Sequence, residues 1–103
     1  MDIQLKKGIL DVCVLSAISK CESYGYKIIN DLDGIIEISE STLYPILKRL
    51  ESGGFLTTRT AEYGGRLRRY YKITNLGLKK LVSGRGDLQE INVIYKKLFG
   101  GRI

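Results

Sequence analysis

Two glycines in a row, Gly64-Gly65, stand between two segments of strand periodicity. Phe55 to Thr60 alternates and is rich in threonine; Arg66 to Thr74 alternates and holds Tyr70 and Tyr71. β-Branched and aromatic residues in alternation, joined by Glu62-Tyr63-Gly64-Gly65, spell an antiparallel hairpin. Most of the remaining apolar spacing is helical. Leu5 to Lys20 has a broad apolar face, interrupted by Asp11 and Ser16, and reads as a central helix. Glu22-Ser23 is placed to cap a second helix from Tyr24 to about Asp33, ended by Gly34. Ile35 to Ile38 is extended. Ser39-Glu40-Ser41-Thr42 then opens a third helix that turns Leu43, Ile46, Leu47 and Leu50 inward, and Gly53-Gly54 closes it. Pro45 puts the start of that helix near Ser41 or Thr42, because a first-turn proline has no amide bond to lose.

Thr74 or Asn75 caps a fourth helix through Leu76, Leu78, Leu81 and Val82. Ser83-Gly84-Arg85-Gly86 is expected to break or kink it, each glycine costing about 1 kcal/mol relative to alanine. From Asp87 to Phe99, Leu88, Ile91, Tyr95 and Leu98 recur three, four and three residues apart, and Ile94 and Phe99 widen the stripe. This segment either folds back on its own core or meets a partner helix, and the seam favours a partner. The expected fold is mainly α with a small β-hairpin. Its organisation is a winged helix-turn-helix over residues 1–74 and a dimerisation helix over 75–103, whose interface is Leu88, Ile91, Ile94, Tyr95 and Leu98.

Seventeen basic and eleven acidic residues in a chain of 103 give a formal charge of +6, which suits a polyanionic partner. Much of the surplus is concentrated: Arg59, Arg66, Arg68, Arg69 and Lys72 face the single acid Glu62 within fourteen residues. Catalysis is disfavoured, since there is no histidine, no paired carboxylates and no phosphate-cradling glycine loop. No cofactor is expected. Cys13 and Cys21 fit no zinc spacing and no internal disulfide; Cys13 reads as a core residue. Neither a leader nor a membrane span is visible, so a cytoplasmic location is expected.

Three helices, a hairpin and a further helix form the order of a winged helix-turn-helix. A major groove about 12 Å wide admits a helix whose polar N-terminal residues reach base edges. Ser39, Ser41, Thr42 and Tyr44 lie near the start of the third helix, with Lys48 and Arg49 a turn further on. Gly64 and Gly65 permit close backbone approach, and alternation places Arg66 and Arg68 on one face of the returning strand with Arg69 on the other. Arg66 and Arg68 are expected on phosphate or in the minor groove; Arg69 is expected to pair with Glu51 or Glu62. Lys7 and Lys27 complete the expected DNA-facing set. Of Tyr70 and Tyr71, one packs and one is exposed.

The chain resembles the PadR-type transcriptional regulators, in particular the short members with one C-terminal helix. The likeness is carried by Leu5-Lys6-Lys7-Gly8-Ile9-Leu10, Ser23-Tyr24-Gly25-Tyr26, Ser41-Thr42-Leu43-Tyr44-Pro45-Ile46-Leu47-Lys48-Arg49-Leu50-Glu51, Gly64-Gly65-Arg66, Arg68-Arg69-Tyr70-Tyr71 and Ile73-Thr74. It implies a homodimeric repressor on a palindromic operator, released by a small effector or a stress signal. It also implies Tyr24, Thr42, Tyr44, Lys48, Gly65 and Arg66 as DNA-facing positions, while Tyr26 reads as a packed ring with its hydroxyl at the surface. Relatives that sandwich planar drugs carry a tryptophan where this chain has Leu88, so aromatic sandwiching is not expected. An effector would meet Leu88, Ile91 and Tyr95. The alternative in another class is a winged-helix module that docks an acidic protein without touching DNA.

Overall fold

The computed structural model describes residues 1–100. Four helices and one hairpin follow in the order α1 (Ile3–Ala17), α2 (Gly25–Leu32), α3 (Glu40–Ser52), β1 (Leu56–Tyr63), β2 (Arg66–Ile73) and α4 (Asn75–Phe99). α1 begins two residues earlier than the apolar pattern indicates, because the Asp2 carboxylate accepts from the Gln4 and Leu5 amides at 2.9 and 3.2 Å. Leu10, Val14, Leu15 and Ile18 form the centre of the core, with Ile28 and Leu32 from α2 and Leu43, Leu47 and Leu50 from α3 closed over them. Leu56 and Tyr71 bring the root of the hairpin onto the same core.

Two local expectations are corrected. Ser23 does not cap α2: the N-cap is Tyr24, which makes no side-chain cap bond. The Ser23 amide and carbonyl instead pair with Tyr71, at 3.0 and 2.7 Å. Tyr71 is free for this because its pairing with Thr58 turns its own amide and carbonyl outward, as alternate residues of an antiparallel strand must. The bridge anchors the edge of the hairpin to the α1–α2 connection. Pro45 does not lie in the first turn of α3. Ser39 is the N-cap, so proline falls in the second turn, where it withholds an amide from the Ser41 carbonyl.

In the hairpin, Leu56 pairs with Ile73 and the register runs to Tyr63 with Arg66. The loop is therefore two residues long, and φ is positive at both Gly64 (57°) and Gly65 (80°). That is the twist-compatible turn that side chains with a Cβ resist, so β1 continues to Tyr63 rather than stopping at Thr60.

The expected break near residues 84–86 is absent: α4 is one helix, roughly 37 Å long at 1.5 Å per residue. Gly84 is the crossing point with α1. A Cβ there would lie 2.4 Å from Val12 Cγ2, so glycine lets the two helices touch and packing offsets its poor propensity. Nearer its start, α4 is tied in by Thr74, whose hydroxyl donates to the Gly54 carbonyl at 2.7 Å and accepts from the Gly77 amide at 3.0 Å. Gly77 and Leu81 thus belong to the body. Beyond Gly84 the helix runs on past the start of α1, across a cleft lined by Leu88 and Ile91, every residue from Arg85 to Gly100 being exposed; the expected span 75–103 runs past the described residues at 101–103.

Candidate nucleic-acid interface

α3 presents three stripes. Leu43, Ile46, Leu47 and Leu50 face the core, while Ser41, Tyr44 and Lys48, three and four residues apart, are all exposed. Between them Thr42, Pro45 and Arg49 overlook α1, where they share a shallow apolar groove with Ile3, Lys6, Lys7 and Leu10. Ser39 gathers the hydroxyls at the tip: its Oγ lies 3.0 Å from that of Ser41 and 3.1 Å from that of Thr42, and it accepts from the Thr42 amide at 3.3 Å. A polar N-terminal tip on an apolar-backed helix results, as the amino-acid pattern indicates.

The hairpin leans beside this tip. Tyr44 of α3, Tyr24, Gly25 and Tyr26 at the start of α2, and Gly64, Arg66, Arg68 and Arg69 of the hairpin line one groove. Arg68 is held by stacking: its guanidinium lies 3.9 Å from the centre of the Tyr24 ring and 4.1 Å from that of Tyr63. Each such contact contributes about 0.5–1 kcal/mol near the surface and leaves the edge donors of the guanidinium free. Tyr24 also meets Tyr70 edge to face, at 5.8 Å between centroids. Arg59 lies over Tyr70 and grips Glu22 with two bonds, and that partner holds the Glu22 carboxyl below its ordinary range. One face of the hairpin is thus a ladder of alternating cations and rings, seated on the α1–α2 connection.

Among the expected DNA-facing residues, Tyr24, Tyr44, Gly64, Arg66 and Arg68 come together in this groove. Ser39, Ser41 and Thr42 form the adjoining tip, Lys48 is exposed one turn along, and Gly65 completes the loop. Lys7 lies across the other groove from Thr42. Lys27 is tied to Asp31 at 2.8 Å, an exposed pair within one helix that is cheap to open.

Arg49 is the correction. Its guanidinium donates to both oxygens of Asp11, at 2.9 and 2.8 Å, and Asp11 is buried in α1. The fork that would meet a phosphate instead locks α3 to α1, which raises the arginine's already high pKa further. The signal for it is in the sequence: Asp11 is the one charge inside an apolar run, and such a charge needs a partner. Arg49→Ala strands that carboxylate, and urea unfolding should show a loss of about 2 kcal/mol, discounted because solvent reaches the arginine. The same variant should keep the salt dependence of any DNA binding. Tyr26 is corrected too: at 70% exposure it is a surface ring, not a packed one. Arg69 makes no ion pair among the described residues; Glu51 is taken by the Thr58 hydroxyl at 2.8 Å.

Residues 14–83 match the model of the transcriptional regulator PadR-like family. The chain belongs to that family. A solved structure from Streptococcus mutans has nearly the same outline, with a TM-score of 0.84 at 40% identity over 94% of this chain and 92% of that one. A transcriptional regulator of Mycobacterium tuberculosis is 37% identical over 65 residues, 63% of this chain and 58% of that protein's length. Bacillus subtilis PadR, solved in complex with operator DNA, superposes with a TM-score of 0.69 at 29% identity, over 73% of this chain and 45% of that longer one. Four helices and a two-stranded hairpin are the winged-helix arrangement of PadR regulators. No helix among the described residues is long and apolar enough to cross a membrane.

Proposed function

We propose that this PadR-like chain is a cytoplasmic, homodimeric repressor that holds a palindromic DNA operator between two winged helices. The observation that carries the reading is the shared groove: Tyr44 of α3 and Arg66 and Arg68 of the hairpin line one surface, with Lys48 exposed on the same stripe of α3. α3 enters the major groove tip first, so that Ser41 and Thr42 meet base edges while Tyr44 and Lys48 meet the backbone. The hairpin, stiffened by the stacked Arg68, follows the flank into the neighbouring groove.

The second half of α4 supports the dimer. Leu88, Ile91, Ile94, Tyr95, Leu98 and Phe99 are all exposed in one protomer, more apolar surface on one arm than a lone chain ordinarily leaves in water. A dimer joined there would need to hold the two copies of α3 about one helical turn of DNA apart, roughly 34 Å, to read both half-sites. An effector would act in the cleft between α1 and α4, where Leu5, Ile9, Leu88 and Ile91 face one another. Tyr95, expected in that cleft, lies further out against Phe99, 5.3 Å between ring centroids.

Footprinting on the DNA upstream of the chain's own gene tests the proposal. Protection of a two-fold symmetric site, retained against excess nonspecific DNA, is the expected result. A protein that protects nothing even at low salt is instead an adapter for an acidic partner.

A further inference from the structure

Arg69 is the basic residue of the hairpin that the sequence pattern sends elsewhere, to a carboxylate, and the structure leaves it without one among the described residues. Glu51 is held by Thr58, and Glu62 stands opposite Leu67 across the strands. Arg69 points from the hairpin face opposite to the stacked Arg68, the face whose root carries Leu56 and Tyr71 into the core. It lines the groove between hairpin and helices, with Tyr44 and Tyr26 across from it and Tyr71 below. The Tyr44 hydroxyl sits against Gly25, where a Cβ would come within 2.5 Å of it, which places that phenol at the groove's edge beside α2.

The position has a simple geometric meaning once α3 and the hairpin occupy adjacent grooves of a duplex, a reading on which this inference rests. Major and minor grooves are separated by one sugar-phosphate strand. Whatever lines the notch between the two protein elements therefore faces that strand, not the bases. We propose that Arg69, with the Tyr44 hydroxyl beside it, is a phosphate seat that straddles the strand between recognition helix and wing. Arg66 and Arg68 rise from the other face of the strand but line the same groove, and contact the phosphates next along the flank. A guanidinium with no carboxylate among the described residues, and only the Tyr71 phenol beside it, keeps donors for the two anionic oxygens of a phosphodiester, and the Tyr44 phenol adds a neutral donor. The seat reads no base. It sets the register at which α3 meets the groove.

The test compares the full-length protein with its Arg69→Ala and Arg69→Lys variants on operator and on random duplex, each at several salt concentrations. Arg69→Ala is expected to weaken both by about tenfold at moderate salt and to lower the slope of log affinity against log salt by about two per dimer, one phosphate for each protomer. Arg69→Lys should restore the slope but only part of the affinity, since the charge returns without the fork. Urea unfolding of Arg69→Ala should be unchanged, which a merely structural role would not allow. A scan of single neutral methylphosphonates along the operator supplies the second readout. One position in each half-site should penalise the wild type and leave Arg69→Ala indifferent. Wild-type binding with an unaltered slope in Arg69→Ala overturns the seat alone; a wild type that binds no duplex overturns the seat and the regulator together.

Discussion

Gly77→Ala is expected to be among the most damaging single-methyl changes in this protein, while the same change nine residues on, Gly86→Ala, is expected to stabilise it. A Cβ at Gly77 would lie 2.0 Å from the Phe55 carbonyl oxygen and 2.7 Å from Ile73 Cγ1. The first of these is backbone, and it already accepts the Thr74 amide at 3.1 Å, so neither side can give without opening the joint between hairpin and α4. Overpacking of this kind costs about 1–3 kcal/mol, and a backbone obstacle sets the expectation at the upper end. Gly84→Ala meets only the Val12 side chain, at 2.4 Å, and gains up to about 1 kcal/mol of helix propensity against the clash. It should fall between the other two. Gly86 has nothing within 4 Å, so alanine there keeps the propensity gain of about 0.5–1 kcal/mol. Denaturant melts of the three variants at one protein concentration read the order, which inverts if α4 is not docked through Gly77.

The second large effect concerns the arm. Ile91→Glu combined with Leu98→Glu puts charges on residues 48% and 69% exposed in one protomer, which on a lone chain would be nearly neutral. If two arms meet there, four carboxylates are forced into one apolar seam. Light scattering should then report half the wild-type mass, with the protomer's helical signal largely kept. Operator affinity should fall at least about a hundredfold, because two half-sites no longer act as one ligand. An unchanged mass would remove α4 from the interface.

Much of this was legible in the residues because the physical constraints are local. The two-residue left-handed turn needs Gly64 and Gly65, and alternation on either side then sets the register of the hairpin. The inward stripe of α3 follows from Leu43, Ile46, Leu47 and Leu50. What sequence could not show is what depends on a distant neighbour. Glycine propensity argues for a break at Gly84 and Gly86; only the presence of Val12 at the crossing turns Gly84 into a packing residue. Ser23 has the chemistry of a helix cap, but the outward-facing backbone of Tyr71 claims it for the sheet. Arg49 sits where a phosphate contact belongs, and Asp11, thirty-eight positions earlier, takes its donors. Charge alone draws Arg69 toward Glu51 or Glu62, whereas the Thr58 hydroxyl holds Glu51 and Glu62 stands opposite Leu67. In each case a short-range rule was overruled by a contact that only the fold creates.

The shared grip of α3 and the hairpin on one duplex is tested most directly by the salt dependence of binding in the Lys48→Ala/Arg66→Ala double variant. Lys48 stands on the exposed stripe of the helix and Arg66 at the tip of the hairpin, with no internal ion pair described for either. Each phosphate contact contributes about 0.9 to the slope of log affinity against log salt, so four lost contacts per dimer should lower it by between about three and four. A double variant whose slope and affinity equal those of the wild type would mean that neither element touches the nucleic acid.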